Sequence, residues 1–449
     1  MNWQGKSVVI VGAGASGLSA AALLRRLGAS VALNDKRSEA ELGEIAEKAR
    51  ALGVELRLGS HDASRFAGAD AIVVSPGVPA LPELAALEAR GLPVLAEVEL
   101  VAPFVRGTLI GITGTNGKST VTTLVGRMCE ATGRPTFAGG NLGTALTEVV
   151  GTEAAEHGYV VAELSSFQLE RVRELRCHVG VLLNVTPDHL DRHGSVEAYA
   201  QAKAQVFAAQ TEGDHAVVPA GDALCERLAA EHRGRVHRFG AGGEVRVEGG
   251  AIVDAVSGLR FPLSKLRIVG RHNQDNACAS ILAARLAGVA PEVIARALEA
   301  FGGLPHRAVL VRELDGVQYV DDSKATNVGA TVAALDGLAS PERRVVLIAG
   351  GVDKGGSYQP IAERMRAMGR ALVLIGQSKE LIRAALAPVG LPIRDASSMP
   401  EAVSIARSHA QRGELVLLAP AGASFAMFKS YAHRGDVFAG AVRALEENE

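Results

Sequence analysis

Short β-branched runs alternate with Ala- and Leu-rich stretches along almost the whole chain, and this alternation restricts the fold more than any other feature. Residues 7–11, 30–33, 71–74, 108–113, 159–162, 180–184, 345–349, 372–375 and 415–418 read as strands. Most are nearly continuous apolar runs, as parallel strands covered on both faces require. Helical stretches such as 18–27 and 291–300 fill the gaps. The pattern predicts an α/β chain of stacked layers with parallel sheets.

Length and composition narrow this further. At roughly 100–200 residues per domain, 449 residues exceed one hydrophobic core. Hydrophobic residues make up 48% and charged residues 21%, a globular balance that excludes a disordered chain. Lys and Arg number 47 against 49 Asp and Glu, so no basic surface is offered to nucleic acid or an anionic membrane. No apolar run reaches the ~18–20 residues that span a bilayer, and residues 1–6 lead straight into a strand without a signal peptide. A cytoplasmic protein is expected. Cys129, Cys177, Cys225 and Cys278 are far apart and read as buried or incidental thiols. Residues 97–107 separate one α/β unit from the next, Phe301-Gly302-Gly303-Leu304-Pro305 offers a hinge, and 238–262 reads as a small β excursion.

Two glycine loops follow strands. Gly12-Ala13-Gly14-Ala15-Ser16-Gly17 stands between a strand and a helix, where backbone N–H groups and a helix N-terminus can hold a diphosphate. Asp35 ends the next strand, within reach of a ribose hydroxyl. A dinucleotide site and a tight turn that binds nothing both fit. The second loop, Gly114-Thr115-Asn116-Gly117-Lys118-Ser119-Thr120, joins a strand to a helix. Its Lys118 can meet the β- and γ-phosphates of ATP and its Ser119 hydroxyl can ligate Mg²⁺. A longer P-loop spacing would need Gly in place of Ile112, so this is a shortened form.

Polar residues gather at two further strand ends. Glu163 follows 159–162, and Asp188-His189-Leu190-Asp191 follows 180–184. Ligands of parallel sheets sit at the carboxyl ends of strands, so Glu163 and His189 can converge near Lys118. His189 also fits a capping or core role. On a helix over 195–209, Tyr199, Lys203 and Phe207 share one stripe, so Lys203 must snorkel outward or meet a partner.

These motifs together resemble the Mur ligase family over essentially the whole chain. The resemblance rests on the Gly114 loop and on Gly140-Asn141-Leu142-Gly143, Asn184-Val185-Thr186-Pro187-Asp188-His189-Leu190-Asp191, Gly270-Arg271-His272-Asn273-Gln274-Asp275-Asn276-Ala277 and Asp322-Ser323-Lys324-Ala325-Thr326-Asn327. Glu163-Leu164-Ser165-Ser166-Phe167-Gln168-Leu169, Gly303-Leu304-Pro305-His306-Arg307 and Gly350-Gly351-Val352-Asp353-Lys354-Gly355 resemble the D-glutamate-adding members.

The resemblance implies three α/β domains. They are a Rossmann-like domain for a UDP-linked substrate over 1–100, a central P-loop-type ATP-binding domain with a mostly parallel sheet over 101–303, and a Rossmann-like amino-acid-binding domain over 304–449. It implies a monomeric, ATP- and Mg²⁺-dependent ligase of peptidoglycan precursor synthesis, joining D-glutamate to UDP-N-acetylmuramoyl-L-alanine through an acyl phosphate, with closure about the hinge on ligand binding. Gly12–Gly17 would then hold uridine diphosphate, with Ser16, Asp35 and Arg37 as substrate contacts. Lys203 would be carbamylated and, with Ser119, Glu163 and His189, would serve Mg²⁺. Asn141, Ser165 and Gln168 would place the muramoyl substrate. Asn273, Asn276, Arg307 and Asp322 would serve ATP beside the Gly114 loop, and Thr326, Lys354, Ser424 and Phe425 the D-glutamate pocket. For Ser424 and Phe425 a helix cap and a core position are the alternative reading. Rival readings are a sister ligase or folylpolyglutamate synthase, a dinucleotide oxidoreductase built on Gly12–Gly17, and a non-catalytic nucleotide-binding scaffold.

Overall fold

The computed structural model describes residues 1–446 apart from Leu142, Val269, Lys354 and Ala426. The chain divides into two compact units. The first comprises Met1–Val185, Glu197–Phe261 and Ala277–Leu298, and the second Thr186–Val196, Pro262–Asn276 and Glu299–Glu449.

The first unit carries two sheets. Strands β1 (Ser7–Val11), β2 (Ser30–Asp35), β3 (Glu55–Leu58), β4 (Ala71–Val74) and β5 (Val94–Ala96) form a parallel sheet in the order β3-β2-β1-β4-β5. The second sheet contains β6 (Thr108–Thr113), β7 (Thr136–Gly140), β8 (Tyr159–Glu163), β9 (Val179–Leu182), β10 (His215–Pro219), β11 (Arg235–Phe239), β12 (Val245–Glu248), β13 (Ala251–Asp254) and β14 (Arg260–Pro262). Its order is β14-β13-β12-β11-β10-β9-β6-β8-β7. It is parallel from β7 to β12, and the antiparallel β12–β13 ribbon is the excursion expected over 238–262.

The connector between these sheets is itself core. Glu97–Val101 makes a 3₁₀ turn, buried throughout. One apolar cluster runs from Leu24 of the helix Ala15–Arg26 through Val98 and Leu100 to Leu146, Val149 and Leu164. Each such buried aliphatic side chain contributes about 1.5–3 kcal/mol, which welds the two sheets into one body.

The second unit is built on β15 (Val309–Leu314), β16 (Val317–Asp321), β17 (Val345–Gly350), β18 (Gly369–Ile375), β19 (Ile393–Asp395) and β20 (Leu415–Ala421), in the order β15-β16-β20-β17-β18-β19. Only the edge pair β15–β16 is antiparallel among them. Every residue of β17 and β20 is buried, which is why those strands read as unbroken apolar runs.

Two expected elements end early. The strand expected over 180–184 stops at Leu182, because Leu183 and Asn184 turn to serve the Gly114 loop. The helix expected over 195–209 is α-helical over Val196–Ala204 and tightens into a 3₁₀ turn over Gln205–Phe207. Among the described residues, no helix is long and apolar enough to cross a membrane.

Candidate active site

The first loop needs its glycines for space. A Cβ on Gly17 would lie 2.0 Å from the Gly12 carbonyl oxygen, and one on Gly12 would lie 2.8 Å from Val78 Cγ2. The helix Ala15–Arg26 therefore starts hard against β1, with Gly14 as N-cap and no side-chain cap bond. Its first-turn N–H groups point out of the helix end, as anion sites require. Ser16 is half-buried in that turn.

Asp35 has a different task from a free ribose ligand. Its Oδ2 accepts from Ala13 N and from an Arg37 guanidinium nitrogen, each at 2.8 Å, and its Oδ1 accepts from Arg37 N and Nε at 3.0 and 2.9 Å. Burial pushes this carboxyl up, but the hydrogen bonds from Arg37 and Ala13 outweigh it and hold the group well below the usual carboxylate range. Asp35 thus fixes the loop and aims Arg37, which remains 40% exposed.

The second loop is clamped from β9. Thr115 N donates to Asn184 O at 3.0 Å and Asn116 N to Asn184 Oδ1 at 2.9 Å, while Asn184 Nδ2 donates to Asn116 O at 3.1 Å. Gly114 has φ +147°, and a Cβ there would lie 2.9 Å from Leu183 Cβ. Gly117 is the left-handed N-cap of the helix Lys118–Glu130, in which Ser119 and Thr120 are buried.

Two ammonium groups meet at this loop. Lys118 Nζ donates to Gly114 O and Thr115 O, each at 2.9 Å. Lys203 Nζ donates to the same Gly114 oxygen at 2.8 Å. Lys203 is 1% exposed, so it does not snorkel to water, and its Nζ lies 4.3 Å from the Tyr199 ring centroid. Both cations and the helix N-terminus concentrate positive potential on one turn, where phosphate oxygens are favoured.

Glu163 closes β8 beside Ile112 of β6. It is 3% exposed. Its Oε1 accepts from Asn141 Nδ2 at 2.9 Å, whereas the buried Oε2 has no hydrogen-bond partner. Its backbone oxygen accepts from Asn141 N at 2.9 Å, leaving the exposed Asn141 fixed beside it. An orphaned buried carboxylate oxygen fits a hard cation such as Mg²⁺. No group of three or more His, Cys, Asp or Glu that could hold a metal occurs among the described residues.

Ser165 and Gln168 prove to be engaged locally. Ser165 caps the helix Ser166–Leu169, and Gln168 Oε1 accepts from Ser165 N and Oγ at 2.9 and 3.0 Å. Gln168 Nε2 donates to Glu97 Oε1 at 2.8 Å, so this amide, 1% exposed, supports the turn rather than facing outward. Glu97 escaped the sequence reading. Burial pushes its carboxyl up to about 7, against the lowering effect of the Gln168 bond. The signal was there, since Glu97 and Glu99 interrupt the otherwise apolar run of residues 94–101. A cavity of about 290 Å³ lined by Trp3, Glu88, Leu92 and Arg173 borders the amino end of β5, away from the carboxyl ends that carry the loops.

The second unit holds the remaining predicted residues. His189 has φ +53° and caps the short helix Leu190–His193, its N donating to Asp188 Oδ1 at 3.0 Å. Asp188 Oδ2 accepts from Asn327 Nδ2 at 2.9 Å. Asn273 and Asn276 are both buried and joined, Asn276 Nδ2 to Asn273 Oδ1 at 3.2 Å.

Arg307 stands between His306 and Ala308, at φ +60° and +51°. Two left-handed non-glycine residues flanking Arg307 are strain that the surroundings must hold. His306 Nδ1 bonds Asp321 Oδ2 at 2.7 Å, and Lys324 N donates to His306 O at 3.1 Å. Burial pushes the Asp322 carboxyl up to about 7, against the pull of Arg307. Thr326 is half-buried and Ser424 is 4% exposed. Phe425, open to a core reading in the sequence, is 77% exposed. Lys354 lies outside the described residues.

The chain is similar to known proteins along its length. Residues 6–96 match the Mur ligase MurD-like N-terminal domain, 112–284 the Mur ligase middle domain, and 306–422 the Mur ligase glutamate ligase domain. A UDP-N-acetylmuramoylalanine–D-glutamate ligase of Geotalea daltonii is 42% identical over 453 residues, covering 99% of each chain. One from Anaeromyxobacter dehalogenans is 46% identical over 453 residues, covering 97% of each. Among solved structures, the UDP-N-acetylmuramate–alanine ligase MurC of Thermotoga maritima has TM-score 0.60 at 19% identity, covering 98% of this chain and 99% of its own. MurF ligase from the same organism, in complex with ADP, has TM-score 0.59 at 17% identity, covering 92% and 95%. At that identity the structures speak for the fold, and the full-length relatives speak for the branch: the chain belongs to the Mur ligase family, among its UDP-N-acetylmuramoylalanine–D-glutamate ligases.

Proposed function

We propose that this chain is an ATP-dependent ligase that forms the amide bond between D-glutamate and UDP-N-acetylmuramoyl-L-alanine, a step of peptidoglycan precursor synthesis. The observation that carries the chemistry is Lys118 held on the carbonyls of Gly114 and Thr115, at the mouth of the helix N-terminus it opens. The full-length identity to relatives named for this reaction carries the substrates.

In this reading the L-alanyl carboxylate takes the γ-phosphoryl group of ATP, and ADP leaves. The amine of D-glutamate attacks the resulting acyl phosphate, and the tetrahedral adduct collapses to amide and inorganic phosphate. The first step brings two anions together. Lys118, exchanging its loop carbonyls for the β- and γ-phosphates, offsets that repulsion together with the amides of the helix it opens. Mg²⁺, when bound, supplies further positive charge at the transferring group. Ser119 and the orphaned oxygen of Glu163 would hold it, with Lys203 as a carbamate, and His189 keeps the ligand role that the resemblance implies. Asn141, fixed by Glu163, meets the muramoyl substrate. Ser16 and Arg37 serve its uridine diphosphate, with Asp35 aiming the guanidinium.

Asn273, Asn276, Arg307 and Asp322 are assigned to the rest of ATP, and Thr326, Lys354, Ser424 and Phe425 to D-glutamate. The test is phosphate release from ATP with the UDP-linked substrate and a panel of amino acids. Release with D-glutamate alone supports the assignment, whereas release with L-alanine or diaminopimelate instead moves the chain to a sister activity.

A further inference from the structure

Arg434 is fully buried, although its guanidinium carries a positive charge. It lies on the helix Tyr431–Arg443 and its partners are neutral oxygens from two loops. Nε donates to Ser323 Oγ at 2.9 Å, one terminal nitrogen to Ser323 O at 2.8 Å, and the other to Gly422 O at 3.1 Å. Ser323 Oγ in turn donates to Tyr431 O at 2.8 Å, at the start of the same helix. The two loops also touch each other, Ala421 N donating to Ala325 O at 2.9 Å, with Ala421 at φ +59°.

These loops leave the carboxyl ends of β16 and β20, neighbours in the sheet. One carries Thr326 and the other Ser424 and Phe425. A guanidinium that only filled space here would be a poor choice. Burying a charge costs several kcal/mol unless it is well bonded, and an apolar side chain of similar volume would fill the space without that cost. What the planar fork provides is geometric. It draws the Ser323 and Gly422 carbonyls to one point and so sets the distance between the loops.

We propose that Arg434 is a positioning residue for the D-glutamate pocket, holding the 322–327 and 421–425 loops in register through Ser323 and Gly422. This rests on the assignment of Thr326 and Ser424 to D-glutamate.

The test is steady-state kinetics of full-length Arg434→Lys and Ser323→Ala, with amide hydrogen exchange as a second readout. Lysine keeps the charge but cannot fork to two carbonyls, and Ser323→Ala removes the hydroxyl that accepts from Nε and steadies the guanidinium plane. The loss of a charge-assisted bond predicts roughly a ten-fold rise in KM for D-glutamate, with KM for the UDP-linked substrate unchanged. Exchange should quicken in both loops and not in β17 or β18. Equal rises in both KM values, or no rise for D-glutamate in Ser323→Ala with exchange unaltered, overturn the proposal. If Arg434→Lys fails to fold, Ser323→Ala alone decides. If the wild-type enzyme releases no phosphate with D-glutamate, the functional assignment fails instead. The loop-exchange result then still judges the Arg434 fork.

Discussion

Replacing Glu163 by Gln separates what this side chain does for catalysis from what it does for the fold. In the native protein Oε1 accepts from Asn141 Nδ2 at 2.9 Å and Oε2 is buried without a hydrogen bond. Glutamine keeps the shape and an acceptor for Asn141, and exchanges the orphaned oxygen for a neutral amide group. An unmade bond at a buried polar atom costs about 1–3 kcal/mol, and more for a charged one. Glu163→Gln should therefore leave the first unit at least as stable as before, with a gain on the order of 1 kcal/mol. A group that stabilises the transition state electrostatically shows the opposite response. Its removal should lower kcat about 10²–10³-fold, equivalent to roughly 2.7–4 kcal/mol. Calorimetric melting and D-glutamate-dependent phosphate release measure the two sides. A variant destabilised by about 2 kcal/mol with kcat within a factor of roughly three would refute the reasoning, because Glu163 would then be a structural strut.

Further outcomes follow from neighbouring contacts. Lys118→Met should reduce kcat about a thousand-fold while calorimetry shows unaltered binding of the UDP-linked substrate, since Lys118 stands on the Gly114 loop and not on the Gly12–Gly17 loop assigned to that substrate; weakened binding would count against its phosphate role. Gly17→Ala must displace the Gly12 carbonyl, 2.0 Å from the new Cβ, and should cost about 1–3 kcal/mol with a raised KM for the UDP-linked substrate; native behaviour would show the loop to be slack. The Glu97 carboxyl, pushed up from 4.5 to about 7 by burial, makes the fold less stable as pH rises between those values, with no further change above them. Glu97→Gln, neutral throughout, should remove that decline, a difference of about 3 kcal/mol by pH 8 that vanishes near pH 4. Parallel stability curves for variant and wild type would be the contrary result.

The parts of this molecule that were legible in its sequence are those whose cause is local. Strand, turn, lysine and helix around Gly114 occur in order because the loop's geometry is set within seven residues. The apolar runs of β17 and β20 announce burial on both faces because burial is a property of each side chain in turn. Partner choice is not local. The stripe of Tyr199, Lys203 and Phe207 predicted that Lys203 faces inward or escapes, but its acceptor is Gly114, 89 positions earlier. Gln168 reads as a substrate contact only through the family resemblance, and Ser165 three residues before it and Glu97 seventy-one before it take both ends of its amide. Arg434 reaches back 111 residues to Ser323, and nothing in its own helix marks it as buried. These long-range polar contacts share a further property. Glu97, Glu163, Lys203 and Arg434 are charged or acidic groups at 3% exposure or less, each close to the carboxyl end of a strand or a loop that leaves one. Burial of such groups opposes folding, so a chain that keeps them at the ends of its sheets gives up stability where orientation matters, and leaves the strand interiors to Val, Ile and Leu.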